Sequence, residues 1–388
     1  MTGGAGVSDA IVIGAGVLGA STAFRLAEAG LKVTVLEATR VGAGTSGTSF
    51  AWLNSNGKTP RAYHDLNAAG LHAHFALREM FPSTPWLHEG GSLEVAGSET
   101  IAALRGKIAR LNEWGYAAEQ ISPAQLAEIE PEVDLGAIGD CAIGWFPDEG
   151  WIDPVLFAQA MIRAALHRGA TLHIGTRVDA LRITAGRVLG VVTTDGRRFE
   201  ADVVVNCAGR FSNDAGPPAE LQIPLQPTVG FLVFTPPAPT LLGRVLRTPL
   251  VDLRPDGAGR LVLHDNAVDR ELELTSPISP SMPQAVRMVE QVARLLPGLA
   301  GLAPEAVRIS ARPIPGDGYS AVGPLPGVTG YYLAVTHSAV TMSALLGRLI
   351  AQEITGTEAA ELALFRPARF FGGNLAPIGA SEAFHQAH

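Results

Sequence analysis

The chain has 388 residues, 47% hydrophobic and 17% charged, a globular balance too long for one average domain and incompatible with a disordered chain. A formal charge of −8 excludes a basic face for nucleic acid or an electrostatic pull toward anionic membranes. Two cysteines, Cys141 and Cys207, without C-x-x-C spacing, argue against a disulfide framework or a thiolate metal cluster.

The first ten residues carry no positive leader region, and no apolar run of about 20 residues escapes polar interruption. Neither a signal peptide nor a membrane span is predicted, and a cytoplasmic setting is expected. The first element is the apolar strand Ile11 to Ile13. Gly14, Gly16 and Gly19 follow it at G-x-G-x-x-G spacing. Val17, Ala20, Phe24 and Ala27 then recur at helical spacing up to Ala29, and Gly30 stops the helix. A second strand, Lys32 to Leu36, ends on Glu37, 18 residues past Gly19. Each part has a physical task. Gly14 permits a tight turn, Gly16 lets a pyrophosphate approach the backbone, and Gly19 allows close helix–strand packing. The helix N-terminus offers free N–H groups, and the Glu37 carboxylate accepts from a ribose hydroxyl. Glu37 would repel a 2′-phosphate, which leaves NAD or FAD.

The segment ATRVGAGTSGTSFAWLNSN is too rich in Gly, Ser, Thr and Asn for helix or strand. A helix is predicted from Arg61 to Met80, followed by strand, helix and loop up to Trp145. Asp153 caps a helix running to Arg168, which Gly169 ends. Strands follow at Thr171–Ile174, Val178–Ile183 and Val188–Thr194. ADVVVNCAG, ending at Gly209, is apolar enough for a buried parallel strand. From Ile223 to Leu274, alternating segments broken by Pro and Gly predict an antiparallel sheet, and a helix spans Met282 to Leu296. The strand-like GYYLAV leads to a last helix, Val340 to Ile354, terminated by Gly356. These elements predict an α/β fold. A Rossmann-like dinucleotide domain is assembled discontinuously from residues 8–82, 150–222 and 308–370. An antiparallel-sheet substrate domain, 83–149 and 223–307, is inserted into it.

The segments DAIVIGAGVLGASTAFRLAEAGLKVTVLEA, GTSGTSFA, GWIDP, ADVVVNCAG, ARPIPGDGYSAVGP and VTHSAVTMSALLGRLIAQEITG together resemble the FAD-dependent D-amino acid oxidase (DAO) superfamily. This group includes oxidoreductases of the glycine oxidase, sarcosine oxidase and D-amino acid dehydrogenase types. The resemblance keeps the family's order over nearly the whole chain and is loosest in the middle. It implies FAD, held non-covalently, since neither cysteine resembles the family's covalent attachment. Cofactor positions are then Gly14, Gly16, Val17, Leu18, Gly19, Glu37, Ala38 and Arg40, with Thr45, Ser46, Thr48, Ser49 and Phe50 from the following loop. Val178, Ala208 and Gly209 come from the middle of the chain. Arg312, His337, Ser338, Ala339, Val340, Thr341 and Met342 come from the C-terminal part, where the helix dipole would favour negative charge on a reduced ring.

On the substrate side the resemblance points to Arg312, His337 and His264. An arginine in ARPIPGDG matches a carboxylate with two parallel hydrogen bonds, or else holds its own loop or the cofactor. His337 stands in VTHSAV, where the family has Gly-His, so its contacts are open. His264 replaces a small residue the family commonly has. Trp52, Asn54 and Asn56 are placed to line the substrate face or the core, His64 reads as a satisfied or exposed helix residue, and Asp317 as a turn-former. The implied activity is oxidation of the CH–N bond of a small amine or amino acid. Hydride passes to flavin N5, giving an imine and then an oxo acid, with oxygen or another carrier as final acceptor. Alternatives are a hydroxy acid or bulky natural-product substrate, or a flavin-binding protein without turnover.

Overall fold

The computed structural model describes residues 9–372. The predicted start of the dinucleotide domain at residue 8, and most of the segment read for a leader, lie outside the described residues. A six-stranded sheet is built in the order Ala321–Pro324, Tyr331–Val335, Val203–Asn206, Asp9–Ile13, Lys32–Leu36 and Thr171–His173. The edge strand Ala321–Pro324 is antiparallel to its neighbour, and the other pairings are parallel. Val203–Asn206 therefore sits between two parallel partners, the position its unbroken apolar sequence suits. Helices Val17–Glu28, Pro154–His167 and Ala339–Ile354 share one apolar core with the sheet. The second core is shared with the antiparallel meander Val178–Thr184, Arg187–Thr193 and Arg198–Glu200. Asp153 caps its helix as predicted, accepting from Val155 N at 3.0 Å and Leu156 N at 2.8 Å.

The opening turn is tight. Gly14 has φ +94°, and its N–H donates to Leu36 O at 2.8 Å. A Cβ on Gly19 would lie 2.1 Å from Gly14 O, so the first helical turn rests directly on the backbone of the turn that follows the strand. On its other side the same helix meets Ala339–Ile354, where a Cβ on Gly347 would stand 2.4 Å from Ser21 Oγ.

A second sheet of eight strands runs Ala306–Ala311, Val229–Phe234, Arg260–His264, Asp252–Asp256, Val245–Arg247, Ser92–Gly97, Cys141–Phe146 and Glu119–Ile121. It is antiparallel except where Val245–Arg247 runs beside Ser92–Gly97. Helix Pro283–Leu295 covers one face with a continuous apolar stripe that includes Met288, Val289 and Val292. Strand Ala306–Ala311 belongs to this sheet, so the sheet extends beyond residue 307 and delivers Arg312 from its own edge. The loop after Glu37 also differs from expectation. It contains a 3₁₀ turn, Thr45–Thr48, and a short strand, Trp52–Leu53, paired with Gly150–Ile152. Tertiary hydrogen bonds hold this polar segment in a shape that local propensity does not encode: Thr45 Oγ1 donates to Ala311 O at 3.0 Å, and Arg308 to Gly47 O at 2.7 Å. Helices Ile101–Glu113, Pro123–Ile129 and Asn266–Glu271 complete the second unit. Both cysteines are free thiols. Among the described residues no helix is long and apolar enough to cross a membrane.

The backbone contact at Gly19 gives a direct test of this packing. Gly19→Ala forces a methyl group into Gly14 O and should lower stability by about 3 kcal/mol or more. Urea unfolding that shifts by less than about 1 kcal/mol would show that the turn relaxes freely.

Candidate functional site

The carboxyl ends of the parallel strands open onto a cleft of about 830 Å³, a size that accommodates a large organic ligand. Gly14, Gly16, Val17, Leu18, Glu37, Ala38, Arg40, Thr45, Ser46, Thr48, Ser49, Val178, Ala208 and Gly209 line it, together with His337, Ala339 and Val340. Two features fit a dinucleotide. The cleft floor at Gly16 has no side chain, and a Cβ there would meet Ser46 Oγ at 2.9 Å. Glu37 lines the cleft yet is only 8% exposed. Its two oxygens accept from Ala15 N at 2.8 Å, from Thr39 N at 2.8 Å and from Thr39 Oγ1 at 3.1 Å. Glu37 thus pins the glycine turn as well as facing the cleft. Ser46 Oγ accepts from Val17 N at 3.0 Å, tying the following loop to the helix N-terminus.

A second cavity of about 170 Å³ adjoins the first, and Thr45, Thr48, Ser49, His337 and Val340 line both. Arg312 and His264 line this smaller cavity, and so do Phe50, Ser338 and Thr341. Ala311 and Pro313, flanking Arg312, line the larger cleft, so Arg312 stands at the junction. Gly19 and Met342 line neither space. Gly19 serves packing, and Met342 is fully buried in the core of the final helix.

The small cavity is an ionic cluster. Arg312 is ion-paired with Asp269, which also accepts from His264 Nε2 at 2.8 Å and from Phe231 N at 2.7 Å. Burial opposes charge on His264, but Asp269 and Asp252 overcome it and push its pKa up to about 8. Asp252 lies 3.6 Å from His264 Nδ1 and 3.3 Å from Arg247 Nε. His337 is driven the other way. Burial, then the charges of Lys58, Arg312 and His264, hold its imidazole well below the ordinary value and therefore neutral. Lys58 is buried in the cavity wall, and burial with Arg247 beside it lowers its pKa to about 8. Its loop is held from behind by Glu149. This carboxylate accepts from Ser55 N and Asn56 N, each at 3.2 Å, from Tyr116 at 2.6 Å and from Ser92 at 2.5 Å. Burial raises the Glu149 pKa to about 7.

Trp52 and Asn54 line the small cavity, whereas Asn56 turns away to donate to Glu149 at 3.0 Å. His64 is buried against Ser55, with Nδ1 2.9 Å from the hydroxyl. Asp317 accepts from Tyr319 N at 3.1 Å and pairs with Arg369, a structural role. Sequence reading passed over Lys58, Arg247, Asp252 and Asp269. Lys58 carried a signal, being the one charged residue between Arg40 and Arg61. Asp265 also carried one: it caps the short helix bearing Asp269 by accepting from Ala267 N at 2.7 Å.

Two outcomes follow from this geometry. Glu37→Gln replaces an acceptor oxygen by a donor facing N–H groups, so binding of a dinucleotide should weaken by about 1.5–3 kcal/mol, measured by titrating the apoprotein. The His264–Asp269 pair contributes stability that is complete below the unfolded His value near 6.5 and is lost as pH rises through about 8. Unfolding free energy should therefore fall by about 2 kcal/mol across that window. In His264→Gln the fall should be absent, and an unchanged pH profile would assign it to other groups.

Comparison with known proteins agrees with this architecture. The model of the DAO family, described as FAD dependent oxidoreductase, matches residues 9–353. A D-amino acid dehydrogenase of Cereibacter sphaeroides is 27% identical, over 92% of this chain and 94% of its own. Glycine oxidase of Geobacillus kaustophilus is 25% identical over 94% of this chain and 97% of its own. The crystal structure of L-proline dehydrogenase from P. horikoshii superposes with a TM-score of 0.82 at 22% identity, covering 95% of this chain and 99% of that one, a likeness of fold. Other relatives are longer. The chain spans 27% of the mouse mitochondrial pyruvate dehydrogenase phosphatase regulatory subunit, and 36% of a bifunctional tRNA 5-methylaminomethyl-2-thiouridine biosynthesis protein from Nitrosospira multiformis. The family match runs from the first described strand to the last long helix, and the chain belongs to the DAO family of FAD-dependent oxidoreductases.

Proposed function

We propose that the protein binds FAD non-covalently in the large cleft and oxidises the CH–N bond of a small amine or amino acid in the adjoining cavity. The observation that carries this reading is the junction itself: a small cationic cavity opens onto a dinucleotide cleft at Thr45, Thr48, Ser49, His337 and Val340. When bound, FAD supplies the two-electron acceptor, and water then hydrolyses the imine product, releasing ammonia or an amine and, from an amino acid, an oxo acid.

The chain's own residues would set up the substrate. A guanidinium at the junction orients a carboxylate through charge-assisted hydrogen bonds, and Asp269 and His264 hold that guanidinium in place. The surrounding positive charge of Arg312, Arg247, Lys58 and His264 disfavours an ammonium in the cavity. The amine is therefore bound preferentially in its neutral form, whose nitrogen lone pair the oxidation needs. The neutral His337 adds no opposing charge at the junction. The relatives named as a D-amino acid dehydrogenase and a glycine oxidase support an amino-acid substrate.

The test is anaerobic bleaching of the purified yellow holoprotein with amino acids, their decarboxylated amines and hydroxy acids. Amino acids should bleach it, and bleaching by hydroxy acids alone would overturn the reading. Arg312→Ala should weaken amino-acid binding roughly 10- to 150-fold, the equivalent of about 1.5–3 kcal/mol, and Arg312→Lys should fall between. The decarboxylated amine should be nearly indifferent. Equal losses for acid and amine would make Arg312 structural, and loss of flavin would assign it to the cofactor.

A further inference from the structure

Arg312 accounts for one acidic group on the substrate, and the cavity holds more positive charge than one such group offsets. Lys58 lines the cavity, is 7% exposed, and its ammonium has no hydrogen-bond or ion-pair partner among the described residues. The other cations there are matched. Arg312 pairs with Asp269, Arg247 with Asp252, and His264 lies between both carboxylates. Glu94, which also reaches Arg247, is held by Lys107 at 2.7 Å. Glu149 stands behind the Lys58 loop, but its oxygens are occupied by Ser92, Tyr116 and Asn56. Among the described residues, Arg247, Arg312 and the protonated His264 thus share Asp252 and Asp269, and Lys58 has only the through-space attraction of Glu149. A buried ammonium without a counterion is unfavourable, and an anion brought in by the ligand offsets that cost.

We propose that Lys58 forms a second anion seat in the substrate cavity, so that the preferred substrate is a small amine bearing two carboxylates, one on Arg312 and the other on Lys58. This rests on the reading of the cavity as the amine-oxidising site. The two cations come from different elements, Arg312 from the end of strand Ala306–Ala311 and Lys58 from the loop after Trp52–Leu53. Both line the same cavity, and their like charges repel each other across it. One carboxylate on each relieves both repulsion and desolvation. Arg247 lies over the Trp52 ring, 5.2 Å from its centroid, and extends the positive wall behind Lys58.

The experiment uses carboxylates that the enzyme cannot oxidise: propionate against succinate and glutarate. Binding to the holoprotein is read from the flavin spectrum and from the ligand-induced rise in melting temperature. Both dicarboxylates should bind wild type at least ten-fold tighter than propionate. Lys58→Met should abolish that preference while propionate affinity stays within about three-fold, and Lys58→Arg should retain most of it. Without ligand, Lys58→Met should melt at or above the wild-type temperature, because an unpaired buried charge is gone. If methionine disturbs the loop, Lys58→Gln provides the same contrast. A wild type indifferent to the second carboxylate, a preference that survives Lys58→Met, or an equal loss for both classes of acid would overturn the proposal. Failure of the underlying reading looks different: dicarboxylates would still bind through Lys58 while no amine bleached the flavin. If amines bleach it without favouring dicarboxylic ones, the amine chemistry stands and the second seat falls.

Discussion

The rest of the molecule depends on one contact, the seating of helix Val17–Glu28 on the backbone of the glycine turn that precedes it. Gly19 lies where any side chain would overlap Gly14 O, and Gly347 brings the final helix equally close to Ser21. These approaches are made without side chains and therefore leave little freedom in helix position. As a result, the N-termini of the first and last helices converge at the carboxyl ends of the parallel strands. Gly16, Val17 and Leu18, and His337, Ala339 and Val340, far apart in sequence, become walls of one cleft. A ligand at the switch point of a parallel sheet then meets backbone donors and helix dipoles from two directions.

A different physics governs the smaller cavity. Its walls come from the edge of the antiparallel sheet and from the loop between Thr45 and Lys58, and its character is set by charge in a low-dielectric setting. Asp269 and Asp252 hold three cations in fixed positions and keep His264 protonated, while burial, together with the cavity's positive charges, makes His337 neutral. Such clusters are costly to bury, and perturbed acids and bases gathered in a cleft mark a candidate site. The two units differ in kind: the parallel sheet lines its cleft with glycines and backbone, and the antiparallel sheet lines its cavity with charge.

Much of the first half of this arrangement was legible from local pattern. Glycines at G-x-G-x-x-G spacing between an apolar run and a helical period admit few other structures, because each glycine answers a steric demand within its own βα unit. Glu37 at the end of the next strand, Asp153 at a helix start and the unbroken apolar run at Val203 are likewise short-range statements of structure. The resemblance carried by several segments extended this to the family and to Arg312, His264 and His337.

What the tertiary structure alone decided is which charges meet. Asp269 lies 43 residues before Arg312, and Glu149 lies 93 residues from the Asn56 it holds. No periodicity or spacing records such pairings, since they arise only when two sheets and a loop are brought together in three dimensions. The loop after Glu37 reads as structureless because its polar residues find their partners in Ala311 and Arg308 rather than within the segment. Lys58 was visible in the sequence as a single charge among neutral residues. That it is buried, without a partner among the described residues and lining a cavity is decided in three dimensions, and the Glu149 network that anchors its loop joins distant residues that local sequence cannot specify.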